Sequence, residues 1–582
     1  MIRLFVQSII LFILSQSICE GKFYFKLRKK NFVIYNILSI YLISLFFHVF
    51  LHDVNIVIIL TSILIYILSL IMYYVHEFRG TNFNFSDILS INTAKEVALG
   101  YKYNIRPIFI MTAVFIFIET ILLRYVNNVV NITFDFIYFG ILNIYIEKLL
   151  CLLLLIALFF VIKEEVMNNK FDYSLFAGIN EGYIYNFISS INIFYEKEFA
   201  RDEIENEVIQ FIQYAKNKAN IEKKDIKKSQ NHDIINSRRL LNVLERPHII
   251  VVMNESFGSV YEKVKTNKQV CRNFNNLDGV LRGNLYVNTF GGGTANTEFE
   301  FLTGMTIGNY QYPVMPYNNF INRDKYSLAR YFNNLSYKTI AMHPYTATNY
   351  HRDKVYKRFG FDELIFENDF KNKSLVRNFI SDKSFYEEII QKFEKEVIKN
   401  NKLFIFGITM QNHSGYKYFD GADIVSNIDG VTDTECVDAY LSLIKISDEA
   451  LKLLIDYFSN VKEHVIILFF GDHNASFGNE INKVLYDDNI NYACSNAYKT
   501  PFFIYDNKKM IDDYIDEVSA NFLSLELLKV ANLPYDMWHE VLNEVYKNYS
   551  VYNYHMMKDR DNKNVCNIKF DRYMKLERKY LQ

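Results

Sequence analysis

Four positions in this 582-residue chain combine residue types that could do chemistry at one site. Glu255 follows the apolar run HIIVVM at 248–253. Asp472 and His473 follow a second run, HVIILFF at 464–470, across Gly471. Thr294 ends the glycine run Phe290-Gly291-Gly292-Gly293-Thr294. Two carboxylates and an imidazole are suitable ligands for a divalent metal. A hydroxyl held against such an ion is acidified and becomes a nucleophile. The glycines let backbone approach a ligand, and a helix starting at Thr294 would offer its N-terminus to a phosphate. The plainer alternative is a glycine turn in which Thr294 is only the helix N-cap, just as an Asp after a strand is often only a cap. A Walker loop is excluded, because no Gly-Lys-Ser/Thr follows.

Such a set needs elements that bring distant positions to one edge. The runs at 248–253, 402–409 (KLFIFGIT) and 464–470 are continuously apolar and rich in β-branched residues, which suits parallel strands buried on both faces. Helix-like segments at 384–400 and 435–459 separate them. Strands alternating with helices predict a doubly wound, mostly parallel α/β sheet. In such sheets ligands sit beyond the carboxyl ends of the strands, where these polar residues fall.

The first third has another character. Apolar runs cover 2–19, 32–51, 55–75 and 107–123, and a fifth lies within 136–162. Each reaches or approaches the roughly 20 residues that cross the bilayer as a helix. The expected organisation is a transmembrane domain of about five helices at 1–165 and a charged helical linker at 166–247. A catalytic domain at 248–550 and a polar tail at 551–582 complete it. Lys22, Lys26, Arg28, Lys29 and Lys30 cluster between the first two runs. The positive-inside rule puts that loop in the cytoplasm, and with five crossings the large domain as well. Charge is balanced, 64 Lys and Arg against 65 Asp and Glu, which excludes a basic nucleic-acid binder and an acidic disordered chain. Six cysteines without C-x-x-C spacing exclude a disulfide scaffold.

The motifs also carry a resemblance. Asn254-Glu255-Ser256-Phe257, the stretch GGGTANTEFEFLTG at 291–304 and FFGDH at 469–473 together resemble lipoteichoic acid synthase and related phosphoglycerol transferases. These are membrane-anchored members of the alkaline phosphatase and sulfatase superfamily. His343-Pro344-Tyr345 and Tyr350-His351-Arg352-Asp353 resemble that family's substrate-phosphate segment, and Asn412-His413-Ser414 resembles its next histidine motif. Phe78-Arg79-Gly80-Thr81 through Ser86-Asp87-Ile88-Leu89 resembles its loop between membrane helices.

The resemblance implies an N-terminal multi-helix transmembrane domain joined to a C-terminal alkaline phosphatase/sulfatase-like α/β domain outside the cytoplasmic membrane. It implies one divalent metal, Mn²⁺ ahead of Mg²⁺, held by Glu255, Thr294, Asp472 and His473, with Thr294 as nucleophile. His343, Tyr350, Arg352 and His413 would bind the substrate, Arg352 through a phosphate oxygen or glycerol hydroxyl. One of the two histidines would protonate a leaving oxygen. The implied donor is phosphatidylglycerol, and the acceptor a polyglycerolphosphate chain, glycolipid or glycan. Tyr350 stands where lipoteichoic acid synthases carry Trp, which leaves the substrate open within the family. No Cys-x-Pro-x-Arg segment is present, so formylglycine sulfatase chemistry has no nucleophile here. The alternatives are a membrane-tethered phosphodiesterase of the same superfamily and a non-catalytic polymer-binding membrane protein.

Overall fold

A computed structural model of the chain describes residues 2–22, 30–51, 53–79, 85–88, 105–130, 246–309, 315–319, 323–486, 496–552 and 557–559, with isolated positions between them. Most of the apolar run within 136–162, most of the segment 166–245 and the tail beyond 559 lie outside the described residues. The chain divides into two compact units, one in the first 200 residues and one beyond them.

The first unit contains helices α1 (Ile2–Cys19), α2 (Lys30–Phe50), α3 (Val54–Arg79) and α4 (Pro107–Val130). Ile2–Cys19, Val33–Phe50 and Val54–Glu77 are long and apolar enough to cross a membrane, and Pro107–Leu123 is a shorter apolar stretch. Where one helix meets another, small and polar residues pair. Gln7 Nε2 donates to Ser62 Oγ at 3.0 Å, and Ser69 Oγ donates to Ser15 Oγ at 2.8 Å. Such pairs let backbones approach closely where apolar burial cannot discriminate helix from lipid.

The second unit follows β1 (His248–Asn254), β2 (Val280–Tyr286), α5 (Thr294–Thr303), β3 (Tyr337–His343), α6 (Arg352–Phe359) and β4 (Glu363–Phe366). It continues through the hairpin β5 (Leu375–Val376) and β6 (Phe379–Ile380), α7 (Asp382–Val397), β7 (Lys402–Ile408) and α8 (Glu435–Ser459). Next come β8 (Val465–Gly471), β9 (Lys499–Asp506), β10 (Asp513–Ser519) and α9 (Met537–Tyr546). Eight strands form one sheet in the order β10-β2-β9-β8-β1-β7-β3-β4. The five from β8 to β4 are mutually parallel, while β9 runs antiparallel to both its neighbours.

Every residue of β1 and β8 is buried, as their unbroken apolar runs require. α8 instead shows a helical stripe, burying Val437, Tyr440, Leu441, Ile444, Leu451, Leu454, Ile455 and Phe458. Truncating one such Leu to Ala would cost about 2–5 kcal/mol.

The register carries the function. Asn254 pairs with Gly471 and Met253 with Ile408, so β1, β7 and β8 end level with one another. Glu255, Thr409 through His413, and Asp472-His473 therefore leave the sheet side by side. Gly471 is needed for this arrangement, because a Cβ there would lie 1.9 Å from the Phe257 carbonyl oxygen. Thr294 is not the N-cap of α5. Gly293 takes that position with φ of 89°, a left-handed conformation suited to glycine, and Thr294 is the first helical residue.

Candidate active site

The carboxyl ends of β1 and β8 bring Glu255, Asp472 and His473 together. One ligand atom from each lies within 4.8 Å of the others, and all three residues are buried. Thr294 reaches them from the start of α5, its Oγ1 donating to Glu255 Oε2 at 3.2 Å. The four sequence-derived metal-site residues thus share one cluster.

Neighbouring atoms fix these side chains. Asp472 Oδ1 accepts from the backbone N–H of Ser256 at 2.7 Å and of His473 at 2.8 Å. His473 Nδ1 lies 3.1 Å from the Asn474 carbonyl oxygen, which also accepts from Gly291 N–H at 2.9 Å. A proton on Nδ1 satisfies that carbonyl and leaves the Nε2 lone pair pointing into the cluster. Ser256, held in the left-handed region at φ of 53°, donates its hydroxyl to Glu255 Oε1 at 3.0 Å.

The donor set fits a cation. Asp472 Oδ2 and His473 Nε2 are buried without a hydrogen-bond partner, 3.2 Å apart. Burial and then the neighbouring Glu255 charge push the Asp472 carboxyl up to about 7. Two buried carboxylates and an imidazole nitrogen, with Asp472 Oδ2 and His473 Nε2 unpaired among the described residues, are what a divalent ion would satisfy.

A polar layer beneath this cluster went unnoticed in the sequence. Asn254 donates to Asp382 Oδ2, Tyr386 Oη and Ser447 Oγ, and accepts from Asn412 Nδ2. Thr409 Oγ1 accepts from Glu255 N–H at 3.0 Å. Asp382 is fully enclosed, and burial pushes its carboxyl up to about 6. These bonds tie the loops after β1 and β7 to α7 and α8. Asn254 and Asn412 lie within motifs, but nothing local pairs them with Asp382, Tyr386 and Ser447, which are scattered along the chain.

Of the residues assigned to substrate, His343 and Arg352 form a buried strut. Arg352 is 1% exposed and ion-pairs through Nη2 with Glu298 Oε1, while its Nε donates to the same carboxylate at 3.0 Å. Nη1 donates to His343 Nε2 at 3.1 Å and to Asn349 Oδ1 at 3.2 Å. An arginine has five N–H groups, and these bonds use four of them. Because Nε2 of His343 accepts, its Nδ1 carries the proton and donates to the Ile408 carbonyl at 3.2 Å. Burial, and then the Arg352 charge, holds this imidazole neutral, its pKa well below the usual histidine range. Its proton and lone pair are both engaged inside the protein.

Glu298 also accepts from Tyr317 Oη at 3.0 Å and Tyr356 Oη at 2.7 Å. It stands four residues after Thr294 on α5, a spacing that places both on one helix face and could have flagged it. Tyr350 has a left-handed φ of 52°, and its ring lies 5.1 Å from the Arg352 guanidinium carbon. His413 follows β7, half-buried against the Phe379 ring at 5.6 Å, with its pKa lowered chiefly by burial.

Residues 247–533 match the sulfatase family. This stretch is a sulfatase-family domain. A candidate cyclic beta-1,2-glucan modification protein of Rhizobium meliloti (strain 1021) is 29% identical over 333 residues, 55% of this chain and 51% of its own. Lipoteichoic acid synthase 1 of Bacillus subtilis (strain 168) is 25% identical over 178 residues, 29% of this chain and 27% of its own. The chain thus spans about half the length, or less, of these curated relatives. A solved structure of the Streptococcus pyogenes phosphoglycerol transferase GacH in complex with sn-glycerol-1-phosphate superposes with a TM-score of 0.52 at 20% identity. That match covers 65% of this chain and 94% of that one, and it shows a shared fold.

Proposed function

We propose that this protein is a membrane-anchored phosphoglycerol transferase that moves glycerol phosphate from phosphatidylglycerol to a polyglycerolphosphate, glycolipid or glycan acceptor. The observation that carries this reading is the Thr294 hydroxyl. It sits at the first position of a ten-residue helix and is hydrogen-bonded to a carboxylate of a buried cation-binding cluster.

Glu255, Asp472 and His473, with Thr294, would hold one divalent metal, Mn²⁺ ahead of Mg²⁺. When bound, that ion supplies positive charge that lowers the hydroxyl pKa and offsets charge on the phosphoryl oxygens. Thr294 Oγ1 attacks phosphorus and yields its proton towards Glu255 Oε2, to which it already donates. The bond from phosphorus to the diacylglycerol oxygen breaks, that oxygen takes a proton from water, and a glycerophospho-threonine remains. The acceptor hydroxyl then attacks phosphorus while His413, neutral near pH 7, takes its proton; the bond from phosphorus to Thr294 Oγ1 breaks, and that oxygen regains its proton from Glu255 Oε2. The N-terminus of α5 favours the phosphate throughout. Arg352 offers its one remaining N–H to a phosphate or glycerol oxygen, and His343 holds Arg352. Tyr350 lines the glycerol side.

A lipid donor accounts for the apolar N-terminal helices, and the domain limits expected at 165, 247 and 550 are retained in this reading. Arg79, Lys95, Lys102 and Arg106 lie between the third and fourth apolar runs, a second basic loop in phase with that at 22–30. Both loops are cytoplasmic if the chain crosses four times, and the sulfatase domain is then extracellular. Incubation of the full chain with head-group-labelled phosphatidylglycerol tests the reaction. Label in an elongated phosphoglycerol product supports it, whereas free glycerol phosphate alone, or untouched lipid, refutes it. A reporter fused beyond residue 200 that is active in the cytoplasm would refute the topology.

A further inference from the structure

Arg377 is the first turn residue of the hairpin between β5 and β6, and its backbone is left-handed at φ of 56°. Tight hairpin turns take Gly, Asn or Asp there, because a Cβ crowds the following carbonyl. A bulky arginine in such a place calls for a role for its side chain. The guanidinium faces the loop that follows β7. Nη2 donates to the carbonyl oxygens of Gln411 at 2.9 Å and His413 at 2.6 Å, and Nη1 donates to that of Gly415 at 3.3 Å. Three carbonyls spread over five residues are thus gathered by one planar fork. The fork also stacks on Phe379, 5.3 Å from its ring centroid, and the same ring rests against the His413 imidazole.

The charge at Arg377 is placed differently from that at Arg352. Arg352 is matched by the Glu298 carboxylate, whereas all the hydrogen bonds of Arg377 go to neutral carbonyls. Its Nε is buried without a partner. The carboxylate whose field it feels is Glu255, at the metal cluster.

We propose that Arg377 is a positioning residue: its guanidinium clamps the 411–415 loop so that the His413 imidazole is presented to the phosphoryl group held at Thr294. This rests on the reading of the site as a phosphotransferase centre but not on phosphatidylglycerol as the donor. A lysine cannot replace it, since an ammonium is a point charge that cannot span three carbonyls in a plane. Misplacing a proton-handling group by about 1 Å costs on the order of 10²-fold in rate.

The test uses the full chain in detergent with Mn²⁺ and two substrates, head-group-labelled phosphatidylglycerol and the generic diester bis(p-nitrophenyl) phosphate. The variants are R377G, R377K, H413A and R377G/H413A. With either substrate, R377G and R377K should each lower kcat on the order of 10²-fold, with KM within about 3-fold of the parent. The double variant should be no slower than H413A, because the two residues act as one unit. R377G should bind Mn²⁺ as the parent does, and its melting temperature should fall only by what three lost carbonyl hydrogen bonds cost, less the strain that glycine relieves in the left-handed turn. The proposal is overturned if R377G or H413A keeps parental kcat, if R377K restores it, if the two losses multiply, or if R377G loses Mn²⁺ affinity. Turnover of the diester without turnover of the lipid would refute the proposed donor while still judging Arg377 by the same comparisons. A chain inert to both substrates refutes both.

Discussion

The Glu298–Arg352 pair allows a quantitative test of how α5, which carries Thr294, is fastened to α6. Both side chains are essentially unexposed, at 0% and 1%. Removing one partner of a buried ion pair leaves the other charge uncompensated and costs about 3–5 kcal/mol. E298Q should fall in that range, because Arg352 then faces no carboxylate and keeps only neutral acceptors, His343, Asn349 and the new amide oxygen. R352Q should cost somewhat less, about 2–4 kcal/mol, because Tyr317 and Tyr356 still donate to the Glu298 carboxylate. The double variant E298Q/R352Q buries two neutral amides, so its loss should fall short of the sum by at least about 2 kcal/mol.

A convenient reporter is built in. The chain has one tryptophan, Trp538 on α9, and its Nε1 donates to the Thr303 carbonyl at the end of α5 at 2.7 Å. Urea unfolding followed by tryptophan fluorescence therefore reads the packing of the helix that carries Thr294 and Glu298. Additivity of the two single changes within about 0.5 kcal/mol would refute the claim that this pair couples α5 to α6. So would an E298Q cost below about 1 kcal/mol.

Three further outcomes are expected. T294A should lose at least about 10³-fold in kcat while binding Mn²⁺ within roughly tenfold of the parent, and T294S should recover part of the rate; an active T294A removes the nucleophile assignment. In D472N, calorimetric metal affinity should drop roughly 100-fold or more, while the chelated protein gains about 1–3 kcal/mol because one of two crowded buried charges is gone. Glu300 governs a pH effect. Burial pushes its carboxyl up to about 7, against an ordinary 4.5, although Ile307 N–H, Thr306 and Asn288 bond to it. Its folded pKa is raised, so its contribution is fully present below about pH 4.5 and lost as pH rises through 7, a change of about 3 kcal/mol. E300Q, which mimics the neutral acid, should flatten the unfolding free energy over that window relative to the parent, and an unchanged slope would contradict the assignment.

Much of the scaffold was legible because parallel strands buried on both faces leave an unmistakable record. The runs before Glu255 and Asp472 are β1 and β8, displaced from the expected limits by one residue or none at the amino end. α8 occupies the expected 435–459, and α7 begins two residues before the expected 384. β3 was less visible, because YKTIAMH mixes Lys and Thr into its apolar pattern, although β3 delivers His343 to the site. The turn at Thr294 was left open between N-cap and first helical residue, and backbone geometry decided it: Gly293 adopts the left-handed conformation, and the threonine hydroxyl is left to face Glu255. In the polar layer Asn254 and Asn412 sit within motifs, but their joining to Asp382 and Ser447 had no local signal, since bonded partners lie up to 193 residues apart.

The sequence by itself determined which residue types end which strands. Glu255, Asp472, His473 and Thr294 were therefore readable from a strand-then-polar pattern and a glycine run. What tertiary structure alone decided is how each charge is spent. Arg352, a free phosphate binder when read along the chain, has four of its five N–H groups occupied by Glu298, His343 and Asn349. Arg377, unmarked by any motif, sends its hydrogen bonds to neutral carbonyls of the loop after β7. The reason is physical. Strand and helix patterning is local and periodic, but the pairing of a buried charge depends on whichever distant group the fold brings within 3 Å.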